Sequence, residues 1–179
     1  ILQNTFADDV GAVGFAKTVE AYQLLMVVNM QNDNGAKIAP YNGLESDVSS
    51  KSAVFTEIAA LLDAGYSSLS SAGSSFSFSL SSGFSGFDTP ATFAQFNRAI
   101  RARVAVYMDD WSTALTALDN SFMDPSADMD LGVYHVYSSG QGDLGTGGVS
   151  SGNGMYADPT ASFVKLMGHP TYETDAEAG

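Results

Sequence analysis

The sequence predicts a mostly α-helical chain: an α-solenoid segment of stacked helical hairpins, joined by long ordered loops, with little β-structure. Two observations carry that expectation. Apolar residues recur at helical spacing in stretches that begin near Val10, Ser52 and Thr89, steps of roughly 40 residues that suit stacked helix pairs. Strand signals are confined to the alternation Phe76, Phe78, Leu80 and to the β-branched, aromatic run LGVYHVY at 131–137.

Residues 1–9 are irregular. From Val10 to Met30, Phe15, Val19, Tyr22 and Met26 share a helical face, and Leu24, Leu25, Val27 and Val28 widen it. A helix apolar over so much of its circumference is expected to be buried on two sides. Gln31-Asn32-Asp33-Asn34-Gly35 stops it with residues that favour turns and left-handed backbone. Residues 37–47, with Pro40, Tyr41, Asn42 and Gly43, read as loop. The next helix, Ser52 to Ser70, places Phe55, Ile58, Leu62 and Leu69 inward. Ala72 to Asp88 is rich in Ser, Gly and Phe, and four phenylalanines predict an ordered loop pinned by its aromatics.

Thr89 to Phe122 then reads as a helical hairpin. Thr89 suits an N-cap, and Pro90 at the first helical position loses no hydrogen bond. Phe93, Phe96, Ile100, Val104 and Tyr107 follow at steps of three and four. The pattern breaks at Met108-Asp109-Asp110, either aspartate of which can cap a second helix with Trp111, Ala114, Leu115, Leu118 and Phe122 on its inner face. So short a link makes the pair antiparallel, and Ala99, Ala102, Ala105, Ala114 and Ala117 allow close approach. A unit of about 34 residues with small residues at the crossing is tetratricopeptide-like. Trp111 is expected to be core, packed under Tyr107 and Ile100. Beyond the hairpin come a turn at 123–129, a short strand at 131–137 and a flexible glycine-rich loop at 138–154. A brief helix at 157–167 has Asp158 as cap and Pro159 behind it, and Gly168-His169-Pro170 ends it.

At 179 residues, with 45% hydrophobic and 15% charged residues, the chain fits one globular domain with a real core. Seven Lys+Arg stand against 20 Asp+Glu, a net charge of −13. That balance opposes nucleic acid and anionic membrane surfaces, which bind through basic patches. There is no cysteine, hence no disulfide, thiolate nucleophile or cysteine-based zinc site. No apolar run reaches the roughly 18 residues a membrane span needs. The chain opens on Ile1 without a signal segment and closes on small and acidic residues, so the expectation is a helical-repeat domain incomplete at both ends, cut from a longer precursor.

Catalytic and metal-binding patterns do not emerge. His135 and His169 have no nucleophile partner at a recognisable spacing and are far apart in sequence. Asp124, Asp128 and Asp130 lack the glycine and distal glutamate of a calcium loop and read as a solvated acidic turn. Gly140 to Gly154 lacks the Lys-Ser/Thr ending of a phosphate-binding loop. Asp109 and Asp110 are better explained as helix caps than as a catalytic pair. Arg98, Arg101 and Arg103 on the central helix are expected in salt bridges. The reading is therefore a non-enzymatic protein with no cofactor and no metal.

The run A-x-x-A-R-V-x-x-Y-x-x-D-W-x-x-A-L-x-A-L, Ala99 to Leu118, resembles the hairpin of the SusD/RagB family of outer-membrane nutrient-binding lipoproteins. VFTEIAALLDAGYSSLSSAG, Val54 to Gly73, is similar to a second helix of that family, and the Gly168 to Ala176 tail is similar to a segment preceding its Asp-x-Arg motif. Asn34 to Pro40 stands where the family has a "Y-G-x-V-P" loop, a departure. The resemblance implies a cell-surface or extracellular protein, lipid-anchored in its precursor, that captures glycan or peptide nutrients and hands them to a TonB-dependent transporter. Family members are longer, and their ligand residues do not transfer by motif.

On that basis the candidate ligand-binding residues are Tyr41, Asn42, Phe84 and Phe87, whose loops flank the helix ends. Sugars stack on rings while Asn takes hydroxyls. For Phe84 and Phe87 a role as buried loop anchors is the stronger expectation. The alternative function is a self-assembling extracellular structural protein, a helical-repeat subunit of a polymer or tube joined through an uncapped apolar end.

Overall fold

The computed structural model describes residues 8–38, 47–138, 140, 142 and 143. Among these residues are four α-helices: α1 (Val10–Gln31), α2 (Lys51–Ser71), α3 (Pro90–Tyr107) and α4 (Trp111–Asp119). Among the described residues there is no strand and the structure is mostly helical; the run at 131–137 that reads as a strand does not form one. An isolated bridge joins Ala36 to Ser49. It needs Gly35, at φ 70°, because a Cβ there would lie 1.9 Å from the Ser49 carbonyl oxygen. The predicted helix at 157–167 lies outside the described residues.

Two compact units make up the chain, Ile1–Leu80 with Phe84–Tyr134 and Ser81–Gly83 with His135–Gly179. The first holds all four helices. In the second, Asp143 accepts from the Ser82 amide and hydroxyl and from the Ser138 hydroxyl, and these donors hold its carboxyl below the usual range.

Each helix starts on a side-chain cap that answers an orphan amide. Asp9 accepts from Ala12 N–H at 2.9 Å, Ser50 from Ala53 N–H at 3.3 Å, and Asp110 from Thr113 N–H at 3.0 Å. Thr89 and Thr92 form a reciprocal capping box ahead of Pro90. Of the two aspartates in the hairpin turn, Asp110 is the cap. Asp109 makes the turn itself, at φ 57°.

The helices pack on their sequence neighbours, α1 on α2, α2 on α3 and α3 on α4, with a lesser contact between α1 and α3. One core cluster joins Leu24, Leu25 and Val28 of α1, Val54, Ile58 and Leu62 of α2, and Ile100 and Val104 of α3. A second, around Phe93 and Leu69, gathers Phe15 and Phe76. Phe15 meets Phe93 at 5.0 Å and Phe78 at 5.3 Å, centroid to centroid, so the Ser/Gly/Phe loop is indeed pinned by its rings.

Two expectations about burial need correction. α1 is not buried on two sides: its inward face is Gly11, Gly14, Thr18, Ala21, Leu24, Leu25 and Val28, while Met26, Val27 and Met30 are exposed. Small residues win that face because α1 and α2 touch backbone to backbone. Trp111 is also not core. It is 60% exposed, Leu115 is 65% exposed, and α4 buries Ala114 and Ala117 instead. Alanines on both helices bring α4 so close to α3 that its large side chains point away. Phe122 alone of the expected large residues turns inward, at 4.8 Å from Phe87.

The α1–α2 crossing gives a sharp test. A Cβ on Gly14 would lie 2.7 Å from Leu69 Cγ and 2.9 Å from the Leu69 backbone nitrogen. Helix propensity alone makes Gly14→Ala stabilising by about 1 kcal/mol. Backbone overlap instead predicts a net loss of about 1–3 kcal/mol, read as a lower midpoint in thermal or denaturant unfolding.

The caps set an acid limb. Asp9 is held below its usual pKa by the Ser77 hydroxyl and the Ala12 amide, and Asp110 by the Thr113 hydroxyl and amide. Because these folded-state values are depressed, their stabilisation is present above the unfolded carboxylate range and is lost as pH falls through the lower, folded value. Asp110→Asn, which keeps a capping oxygen but cannot titrate, should make the loss of Tm below about pH 4 shallower than in the wild type.

Candidate functional site

A buried polar network crosses the three long helices, and one of its members, Arg98, reaches a cleft. Asn97 of α3, fully buried, interrupts the apolar row Phe93, Ile100, Val104. Its Nδ2 donates to Thr18 Oγ1 of α1 at 2.7 Å and to the Leu62 carbonyl of α2 at 3.1 Å. Its Oδ1 accepts from Arg98 Nε at 2.9 Å and Nη2 at 2.7 Å. Arg98 Nη2 also reaches the Leu62 carbonyl, at 2.7 Å, and its Nη1 donates to Asp63 at 2.8 Å. Arg101 donates to the same carboxylate from Nε, at 3.2 and 3.3 Å. One half-exposed aspartate thus answers two guanidinium groups that are each about nine-tenths buried. Burial pushes the Arg98 pKa down, and the hydrogen bond and charge of Asp63 oppose the shift. Arg101 Nη1 is buried without a hydrogen-bond partner among the described residues. Arg103 has a different environment: exposed, it donates to the Tyr107 hydroxyl at 2.9 Å.

The cleft is a trough in two parts. The larger, about 430 Å³, lies between the end of α2 (Tyr66, Leu69, Ser70), the start of α3 (Ala91, Ala94, Gln95) and the residues closing α4 (Asp119, Asn120, Ser121). The smaller, about 240 Å³, continues toward the α4 N-terminus past Arg98, Thr113 and Thr116. Tyr66 and Asn120 line both. The Tyr66 ring is held by the Arg98 guanidinium, 4.3 Å from its centroid.

The hydrogen bonding of the lining determines what the trough can recognise. Ser70 and Ser121 donate their hydroxyl hydrogens to the carbonyls of Tyr66 and Leu118. Thr116 donates to the Ser112 carbonyl, Thr113 to the Asp110 carboxylate, and the Asn120 amide nitrogen to the Thr116 carbonyl. A hydroxyl whose proton is committed keeps its lone pairs, and Asn120 keeps its carbonyl oxygen. With the Asp119 carboxylate these give the wall a run of acceptors, beside the Tyr66 ring and the Gln95 amide, which offers both donors and an acceptor. Such a wall suits a ligand rich in donors: sugar hydroxyls, peptide N–H groups or an ammonium. Its one cation, Arg98, is spent on Asp63, Asn97 and Leu62.

The sequence-derived candidates lie elsewhere. Tyr41 and Asn42 are outside the described residues. Phe87 is 3% exposed, and half-buried Phe84 is surrounded by Phe15, Phe93 and Phe96, so both serve as loop anchors. Tyr66, Gln95 and Asn120 were not apparent from periodicity, since each sits at a helix position that reads as ordinary solvent face. Asp124 and Asp128 turn their carboxylates onto the Ser126 and Asp130 amides, the geometry of local turns. His135 is exposed and outside any strand. Compared with protein-family models, characterised proteins and solved structures, the chain finds no match.

Proposed function

We propose that this chain is the helical-repeat part of a non-enzymatic, extracellular binding protein of SusD/RagB type. It captures a donor-rich nutrient, a neutral glycan or a peptide, at the outer membrane for delivery to a TonB-dependent transporter. The observation that carries the binding role is the acceptor-lined trough beside Tyr66. A ring offers a stacking face to sugar C–H groups or to a peptide side chain, while fixed acceptors take its hydroxyls or amides. The family assignment is supported by the Ala99–Leu118 motif, which falls on the α3–α4 hairpin, with its small residues where the two helices approach. Packing of each helix on its sequence neighbour is consistent with a tetratricopeptide-like stack.

The same chemistry sets a selectivity. Asp119 and the acceptor row repel carboxylate and sulfate, so acidic oligosaccharides should bind at least tenfold more weakly than neutral ones of the same length. Calorimetric titration with neutral oligosaccharides, uronic-acid oligosaccharides and short peptides checks this. Asn120→Ala and Gln95→Ala, both at exposed positions, should each weaken the best ligand about three- to tenfold, the worth of one hydrogen bond, with the melting temperature unchanged. Binding to none of a broad neutral panel, or a preference for the acidic members, would overturn the reading.

A further inference from the structure

α4 turns one apolar row away from the helices it packs on. Trp111, Leu115 and Leu118 follow at i, i+4 and i+7, and they are 60%, 65% and 36% exposed. That spacing makes a single ridge about 10 Å long on a helix. Ala114 and Ala117 are taken up by the contact with α3, so among the described residues nothing in the packing of α4 explains large side chains on the other side. A contiguous apolar row of this kind marks an interaction surface.

Charge decides the occupant. Asp109 and Asp110 stand immediately before Trp111, and Asp119 follows Leu118 one turn beyond Leu115. A carboxylate therefore closes each end of the row. Every charged residue from Val104 to Leu131 is an aspartate, and those at 124, 128 and 130 are exposed as well. A second copy of this chain would set these carboxylates against their equivalents and bring two bodies of net charge −13 together, with no cation on α4 to answer them. A basic partner meets the same surface with both its terms favourable.

We propose that this row docks an amphipathic helix of a basic partner protein. Its apolar residues lie along Trp111, Leu115 and Leu118, and Lys or Arg at its flanks faces Asp110 and Asp119. This is helix-on-helix docking, in which anchors at i, i+4 and i+7 give affinity and the flanking charges steer and orient the partner. The row is on the outer side of α4, and Asp119 at its end is shared with the trough wall.

Trp111 is the sole tryptophan, so its emission reports the row directly. The probe is a synthetic helical peptide with Leu at i, i+4 and i+7 and Lys on both flanks, compared with a peptide carrying Glu for every Lys. The expected result is a saturable blue shift with the Lys peptide, at least tenfold weaker in about 0.5 M salt, and none with the Glu peptide. Leu115→Glu should abolish the shift with Tm unchanged, because Leu115 is exposed. Asp119→Lys should weaken the Lys peptide and admit the Glu peptide. The proposal is overturned if neither peptide shifts the emission, if both do equally, or if Leu115→Glu still responds. It is equally overturned if emission without peptide is already blue-shifted. A shift that rises with protein concentration, alongside a dimer in sedimentation, would assign the row to a second copy; one independent of concentration would assign it to the chain's own packing.

Discussion

Asn97 has four hydrogen-bonding positions, two donors and two acceptor lone pairs, and all four are used inside the protein. Its partners belong to α1, α2 and α3, so one amide fixes the mutual register of the three long helices. The approach that makes this possible is glycine-dependent. A Cβ on Gly65 would lie 3.0 Å from Thr18 Oγ1 and 3.3 Å from Asn97 Nδ2, and Gly14 faces Gly65 across the crossing. Thr18, whose hydroxyl donates back to the Gly14 carbonyl, can then reach Asn97 as an acceptor. A hydrophobic contact would tolerate sliding, whereas a saturated buried amide does not, because any shift strands a polar group at about 1–3 kcal/mol.

The trough inherits that rigidity through Arg98. Arg98 is held by Asn97, Leu62 and Asp63, and in turn holds the Tyr66 ring. The ring is therefore placed by a buried network, with little conformational freedom left to lose on binding. The walls come from α4, brought close by alanine-on-alanine contact with α3. The contact that shapes the trough on one side is also what drives Trp111, Leu115 and Leu118 outward on the other. Two surfaces of different chemistry, one lined with polar acceptors and one apolar with acidic ends, follow from a single helix placement.

Much of the helical framework was legible in the sequence. The stretches Val10–Met30 and Ser52–Ser70 differ from the observed helices by at most one residue at each end, the Thr89-Pro90 start is as read, and of the two aspartates the sequence offered as cap for the last helix it is Asp110 that serves. Those signals are local: periodicity, caps and turn residues. Burial was less legible because it depends on which neighbour covers a face. Periodicity locates the Trp111 row on α4 without revealing that alanines turn the opposite side inward. The pairing of Arg98 and Arg101 with acid was foreseeable, but the identity of Asp63, more than thirty residues away, was not. One available signal went unread: Asn97 stands in the middle of the apolar row Phe93, Ile100, Val104, and a polar residue there announces a buried partner. The trough residues left no pattern, since a site assembled from three helix ends has no sequence period.

The stability of Asn97→Leu tests the central claim most directly. Leucine repeats the branching and heavy-atom count of asparagine and adds apolar surface to a site with no exposure, so burial of area alone predicts a neutral or stabilising change. If the amide is what locks the three helices, the substitution leaves Arg98 Nε without its acceptor and takes one donor each from the Thr18 hydroxyl oxygen and the Leu62 carbonyl. Chemical denaturation should then show a loss of about 2–4 kcal/mol. An unchanged or raised unfolding free energy would contradict the account.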